Sequence, residues 1–198
     1  MPSAPERRPA VVLYAELRNF TRLSEVLQPD KVLALANDFF ALAARTFIAN
    51  AGRVLSVHND HILAAFTEGE PPQFADRAVK AAQAIQVEFG ALGERWQNEY
   101  GLPAAVSLGL HLGEAVFGMA GPQGAQQFVA FGDCVSVAER LVHRARAGEI
   151  VLSIDVMNAL GAAVATIGAE ELPAIELGGK RPPLAIYGIV LETRLDFT

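Results

Sequence analysis

Cysteine is almost absent from this sequence. Cys134 is the only one in 198 residues, so no internal disulfide framework can form and the chain suits a reducing compartment. Positive charge is in deficit. Sixteen Lys and Arg stand against 22 Asp and Glu, a formal net charge of −6, which argues against non-specific binding to nucleic acid. No uninterrupted apolar run approaches the ~20 residues a helix needs to span a bilayer, so no membrane span is expected. Met1 to Pro9 carries charges and prolines without the apolar stretch of a signal peptide, and the expected location is cytoplasmic. Internal repeats and low-complexity segments are missing too. What remains is 52% hydrophobic and 19% charged, the balance of a folded chain rather than a disordered one. The length suits one domain, 1–198, with a core at about 10–191. Composition leaves open that this domain belongs to a larger protein.

Apolar patterning gives the element order. The run at 11–16 predicts a buried strand, and Phe20 to Val26 a short helix capped by Asn19 or Thr21. Pro29-Asp30 opens a helix whose Val32, Leu35, Ala36, Phe39, Leu42, Ala43 and Phe47 recur at helical spacing, with Gly52 in the left-handed cap at its end. A hairpin follows through Asn59-Asp60, then a polar loop at 67–73 and a long helix from Phe74 to Trp96. Strands are expected at 104–112, 114–119 and 126–131, with Gly113 breaking the first two. A helix at Asp133 to Ala145, a strand at Ile150 to Ser153, a short helix at Asp155 to Leu160 and a final strand at Leu184 to Leu191 complete the order. This predicts an α+β domain, a mixed β-sheet with helices packed on it.

Chemistry-bearing residues gather at the ends of these elements. Glu16 and Asp60 each follow an apolar strand where the chain turns, and neighbouring strands would bring both carboxylates together. Such a pair beside a helix start suits a divalent cation holding phosphates, although either acid alone reads equally as a solvated turn residue. The turn Glu16-Leu17-Arg18-Asn19-Phe20-Thr21 leads from strand to helix, where free N–H groups can receive phosphate oxygens. Ser136 and Arg140 lie four apart on one helix face, suited to a sugar and a phosphate or simply solvated. Gly178-Gly179-Lys180-Arg181 offers a phosphate-facing cation or a basic turn. His58, Asp60 and His61 could hold a transition metal, but alternation sends His61 to the opposite face, which favours a hydrogen-bonded polar turn. His111 reads as a satisfied strand residue and His143 as a surface helix residue. Cys134 reads as a core thiol, or as an activated one beside a helix start.

Four segments, in order, resemble the class III nucleotidyl cyclase homology domain, the adenylyl and guanylyl cyclase family. Tyr14-Ala15-Glu16-Leu17-Arg18-Asn19-Phe20-Thr21 is similar to the family's phenylalanine-alanine-aspartate-isoleucine-arginine-glycine-phenylalanine-threonine. Ser56-Val57-His58-Asn59-Asp60 is similar to lysine-x-x-glycine-aspartate. Gly109-Leu110-His111-Leu112-Gly113 resembles the glycine-x-histidine-x-glycine segment. Gly132-Asp133-Cys134-Val135-Ser136-Val137-Ala138-Glu139-Arg140-Leu141 resembles the glycine-aspartate-x-valine-asparagine-x-alanine-x-arginine-leucine helix. The resemblance covers about 10–191 and implies a ferredoxin-like cyclase fold and a homodimer or heterodimer with another such domain, its sites lying at the subunit interface. It also implies cyclisation of a nucleoside triphosphate, the ribose 3′-hydroxyl attacking the α-phosphate with two Mg²⁺ or Mn²⁺ ions. In this correspondence Glu16 and Asp60 are metal ligands, and Asn19, Phe20, Thr21 and Lys180 bind phosphate. Ser56 and Val129 stand at the purine-reading positions, and Ser136 and Arg140 at the catalytic ones.

The departures from the family concentrate at those positions. Glu16 replaces aspartate and adds a methylene, Asn19 and Asn59 replace glycines, and Ser56 replaces the purine-reading lysine. Val129, seven residues before Ser136, cannot hydrogen-bond a base, and Ser136 offers one hydroxyl where asparagine offers an amide. Asparagine tolerates the left-handed conformation that a replaced glycine would require. The expected function is therefore a degenerate cyclase homology domain, dimerising and serving as a regulatory or sensing module, with no cofactor. The alternative is a divergent active cyclase that uses Mn²⁺ or needs a partner chain.

Overall fold

In the computed structural model, residues 4–179 and 181–190 are described. The first strand, β1 (Glu6–Arg18), is the centre of the molecule, because both of its faces are covered. Its odd positions Val11, Leu13, Ala15 and Leu17 join the larger core, and its even positions Ala10, Val12 and Tyr14 join a smaller one on the other side. The two-residue period of a strand sorts one apolar run into two cores. A short helix, α1 (Phe20–Val26), leads to α2 (Pro29–Ala49), then a hairpin, β2 (Arg53–His58) and β3 (His61–Phe66). After α3 (Pro71–Tyr100) come the long strand β4 (Ala105–Ala120) and β5 (Gln127–Phe131). The chain closes with α4 (Asp133–Arg144), β6 (Glu149–Ser153), α5 (Ile154–Leu160), a 3₁₀ turn at Gly161–Thr166, β7 (Glu170–Ile175) and β8 (Leu184–Val190).

The sheet runs β2-β3-β1-β4-β6-β8-β7, and β5 pairs with β4 beside it. All pairs are antiparallel except β4 with β6. The segment from β1 to β4 is a βαββαβ unit with spatial order β2-β3-β1-β4, which is the ferredoxin-like arrangement. The expected α+β class and mixed sheet are thus present. Helices α2, α3 and α5 bury one sheet face around Phe39, Phe47, Phe66, Phe89 and Trp96, and α4 lies on the other.

Several local expectations need correction. Residues 104–112 and 114–119 form one strand, since Gly113 pairs with Ala10 without a break. Pro71-Pro72 opens α3 instead of ending a loop, and Glu70 and Gln73 form a reciprocal capping box there. Strand β7, which the pattern hid, is an edge strand bearing Pro173, where a missing N–H faces no partner. Ala51, and not Gly52, takes the left-handed conformation after α2 (φ 59°). Gly52 serves close approach: a Cβ there would sit 2.6 Å from the Phe66 ring. Neither Asn19 nor Thr21 caps α1 through its side chain. By length and hydropathy α2 alone among the described residues would suit a bilayer, yet Leu35, Phe39, Leu42 and Phe47 bury it against the sheet. Leu191, the expected last strand residue, lies outside the described residues.

Candidate active site

Glu16 and Arg18 occupy even positions of β1, so both side chains project towards α4. Arg18 is largely buried and donates to four acceptors from three stretches of chain. Its Nε reaches Ser107 Oγ at 2.7 Å, Nη1 reaches Glu16 Oε1 at 2.9 Å, and Nη2 reaches Val142 O at 2.8 Å and also Ala145 O. Ser107 Oγ passes the chain on to Arg146 O at 2.7 Å. The two carbonyls belong to the end of α4, whose last turn leaves oxygens unpaired and carries partial negative charge. A guanidinium suits that place because its donors are fixed in a planar fork. His143, also on α4, places Nε2 3.4 Å from Glu16 Oε2. Both oxygens of Glu16 therefore face a nitrogen of their own chain.

Asp60 lies where expected in the backbone, since Leu17 N–H donates to Asp60 O at 2.8 Å and Glu16 pairs with His61. Its carboxylate turns to a different partner, with Oδ1 3.2 Å from His61 Nδ1. Asp60, in the hairpin turn, thus lies beside the strand that carries Glu16, and the two carboxylates engage different nitrogens. The expected separation of His58 and His61 is not observed. The two residues pair across the hairpin and their rings stack at 5.4 Å, because the Asn59-Asp60 turn resets the alternation. Among the described residues no three His, Cys, Asp or Glu side chains form a metal-ligand group, so the His58-Asp60-His61 metal site is not formed.

The phosphate turn has the backbone that its substitutions imply. Asn19 and Asn59 both adopt positive φ, 65° and 45°, the conformation the replaced glycines would take freely. Asn19 Nδ2 is occupied by Pro103 O at 3.0 Å. Thr21 is exposed, and Phe20 is half-buried, lining an open apolar cavity of about 420 Å³ with Val32, Ala36, Phe40 and Asn59. Lys180 lies outside the described residues. Its neighbour Arg181 bonds Asp133 at the start of α4.

Ser136 and Arg140 do share the exposed face of α4. Arg140 Nη1 is engaged within its own chain, donating to Leu177 O at 2.6 Å. Ser56 is exposed on β2, and Val129 is half-buried on β5. What joins these two strands is the Arg53 guanidinium, 3.3 Å from the centroid of the Phe128 ring, a cation–π contact. Phe128 stacks in turn on Phe117, which Arg8 covers from 5.3 Å.

The remaining titratable groups are core members. Cys134 is buried and donates to Glu114 O at 3.3 Å; burial pushes its thiol up, the core reading rather than the activated one. His111 is buried with Nδ1 2.8 Å from Ser153 Oγ, and burial lowers its pKa despite Asp155 and Asp133 nearby. Burial, aided by Glu139, pushes the Tyr14 phenol up to about 12. The sequence reading assigned no role to Arg18, Ser107 or His143. Only Arg18 carried a usable signal, its place two residues after Glu16 on the same strand face.

Comparison with known proteins identifies the fold and the family. The chain is 29% identical over 137 residues to adenylate cyclase 1 of Rhizobium meliloti (strain 1021), covering 68% of this chain and 20% of that protein. It thus spans about a fifth of that relative's length. Its fold matches the crystal structure of the adenylyl cyclase CyaB from P. aeruginosa with a TM-score of 0.88 at 22% identity, covering 97% of this chain and 98% of that one. It matches the guanylyl cyclase Cya2 with a TM-score of 0.84 at 23% identity, covering 98% of each. The family model for the adenylate and guanylate cyclase catalytic domain matches residues 3–189, and this chain, with its ferredoxin-like unit and its acids and α4 face on one side of the sheet, belongs to that family.

Proposed function

We propose that this chain is a catalytically degenerate cyclase homology domain that dimerises and acts in the cytoplasm as a regulatory or sensing module. The observation that carries this reading is the state of the purine-reading positions. Where the resemblance places a lysine and its partner across β2 and β5, the chain has Ser56 and Val129, and an Arg53–Phe128 contact holds the strands together. Valine has no donor or acceptor, so discrimination between bases by hydrogen bonding has no basis there. Arg140, the residue that would meet phosphate, is bonded to Leu177 O. Removal of one oriented donor costs roughly 10²–10³-fold in rate in acyl-transfer sites, and several such losses act together here.

Dimerisation is supported by the α4 side of the sheet. The single helix covers it in part, leaving Met119 40% exposed, and Phe131 at the end of β5 is 66% exposed. Large apolar side chains left exposed along the β4–β5 margin suit a second domain of the same type.

A second reading, a divergent active cyclase using Mn²⁺ or a partner chain's residues, draws on the retained Asp60 and the exposed Arg140. One experiment separates the two. The protein is incubated with ATP or GTP and with Mg²⁺ or Mn²⁺, with Asp60→Ala as control, and cyclic nucleotide is sought by mass spectrometry. No product in any condition is expected. Product that vanishes in Asp60→Ala replaces the first reading by the second. A monomer in light scattering at micromolar concentration removes the dimerising module.

A further inference from the structure

We propose that the Arg18 guanidinium is the permanent counter-ion of Glu16, and that this cleft keeps its acidic pair without a divalent cation. The inference rests on the degenerate reading above and deepens it.

Three observations carry it. First, Glu16 is engaged within the chain: Oε1 takes Arg18 Nη1 at 2.9 Å, and Oε2 lies 3.4 Å from His143 Nε2. Asp60 Oδ1 is turned to His61 at 3.2 Å. A small, hard cation such as Mg²⁺ binds through one or two carboxylates, and here both Glu16 oxygens and one Asp60 oxygen already face nitrogens that such an ion would have to displace. Second, Arg18 is not a mobile surface cation that a metal ion could push aside. Its side chain is 24% exposed and it closes the end of α4 through Val142 O and Ala145 O while also holding Ser107. Moving it would leave buried carbonyls unpaired, which the folded chain strongly disfavours. Third, the chain's own departure from its family supplies the reach. Glutamate extends the carboxylate by one C–C bond, about 1.5 Å, toward a guanidinium whose Cα lies two residues along the same strand face. The positive charge that a cation would contribute is already built in, and it doubles as the strut between β1, β4 and the last turn of α4.

The test uses Mn²⁺ as the probe and reads the signal of free Mn²⁺ by electron paramagnetic resonance, on full-length protein purified without a histidine tag. Wild type is expected to retain no Mn²⁺ up to about 1 mM, where the weakest ordinary divalent sites fill, and to melt at the same temperature in EDTA and in Mn²⁺. Glu16→Asp withdraws the carboxylate from Arg18 and is expected to gain Mn²⁺ affinity by at least about tenfold, the scale on which groups around a metal site act. Arg18→Gln is the second variant, with folding of both checked by circular dichroism. Mn²⁺ retained by wild type and lost in Asp60→Asn overturns the proposal. So does a folded Glu16→Asp protein and a folded Arg18→Gln protein that both stay as silent as wild type. Mn²⁺ retention without cyclic nucleotide leaves the degenerate reading standing, whereas cyclic nucleotide formation removes that reading itself.

Discussion

The two faces of the sheet are built from the same strands and held by different means. Below β1, three helices bury Phe39, Phe47, Phe66, Phe89 and Trp96 in one continuous apolar core. Above it, a single helix rests on a smaller apolar core that mixes Ala10, Ala65 and Ala115 with Val12, Leu63 and Phe117, and polar contacts are set among them: Arg18 on carbonyls, His111 on Ser153, Cys134 on Glu114 O. The first face has the dispersion and hydrophobic terms that dominate stability. The second has a smaller share of those terms and adds close backbone approach and individual hydrogen bonds. All the candidate site residues except the loop at Asn19–Thr21 and the exposed β2 position belong to that second side or its margin. A lineage can change such residues without losing the fold, which explains how a site departs from its family pattern inside an intact scaffold.

The comparison yields predictions in descending order of effect. Phe39→Ala removes a fully buried ring that meets Phe89 edge-on at 6.1 Å, and should cost about 3–5 kcal/mol, read as a lowered urea midpoint. Gly109→Ala attacks the other face. A Cβ there would lie 2.3 Å from Val142 N and 2.7 Å from Ala138 O, so α4 must lift from β4. A loss of about 1–3 kcal/mol is expected, together with faster alkylation of Cys134, whose buried, proton-holding thiol should react slowly in wild type. If Gly109→Ala costs as much as Phe39→Ala, the two faces are equally structural and the contrast fails. Arg18→Met keeps much of the packing volume but strands two helix-end carbonyls, and about 1–3 kcal/mol should go with them in the same urea measurement.

The smallest effect concerns pH. Burial lowers the His111 pKa below 6.5, so between that folded value and 6.5 the unfolded chain binds a proton that the folded chain refuses. This contribution to stability is complete above about pH 6.5 and is lost as pH falls through it. His111→Gln should flatten the acid limb of a melting-temperature profile relative to wild type, whatever it does to the plateau. An unchanged slope would place the acid sensitivity elsewhere.

Much of the fold was legible because it depends on period. Val32 to Phe47 repeat at helical spacing and form α2, and the βαββα order was readable from strand-like runs between helical ones. Polar turns misled the reading where proline serves a helix start, at Pro71, and where a half-exposed edge strand has little pattern, at Glu170–Ile175. Of the site, the sequence allowed Asn19 and Asn59 the left-handed conformation they take, and foretold that Ser136 and Arg140 would share a face. It was silent on the partners of those side chains. Nothing local to Arg140 announces Leu177 O, and nothing local to Glu16 announces His143.

The sequence by itself determined most of the succession of elements, the membership of a cyclase family and the identities that depart from that family's pattern. These rest on local spacing and side-chain type. The tertiary structure alone decided what the retained acids and the arginines hold. Arg18 meets Val142 and Ala145 across more than a hundred residues of chain, because β1 lies next to β4 and α4 crosses above both. Such a contact needs the whole sheet in register before any of its partners comes within hydrogen-bonding reach.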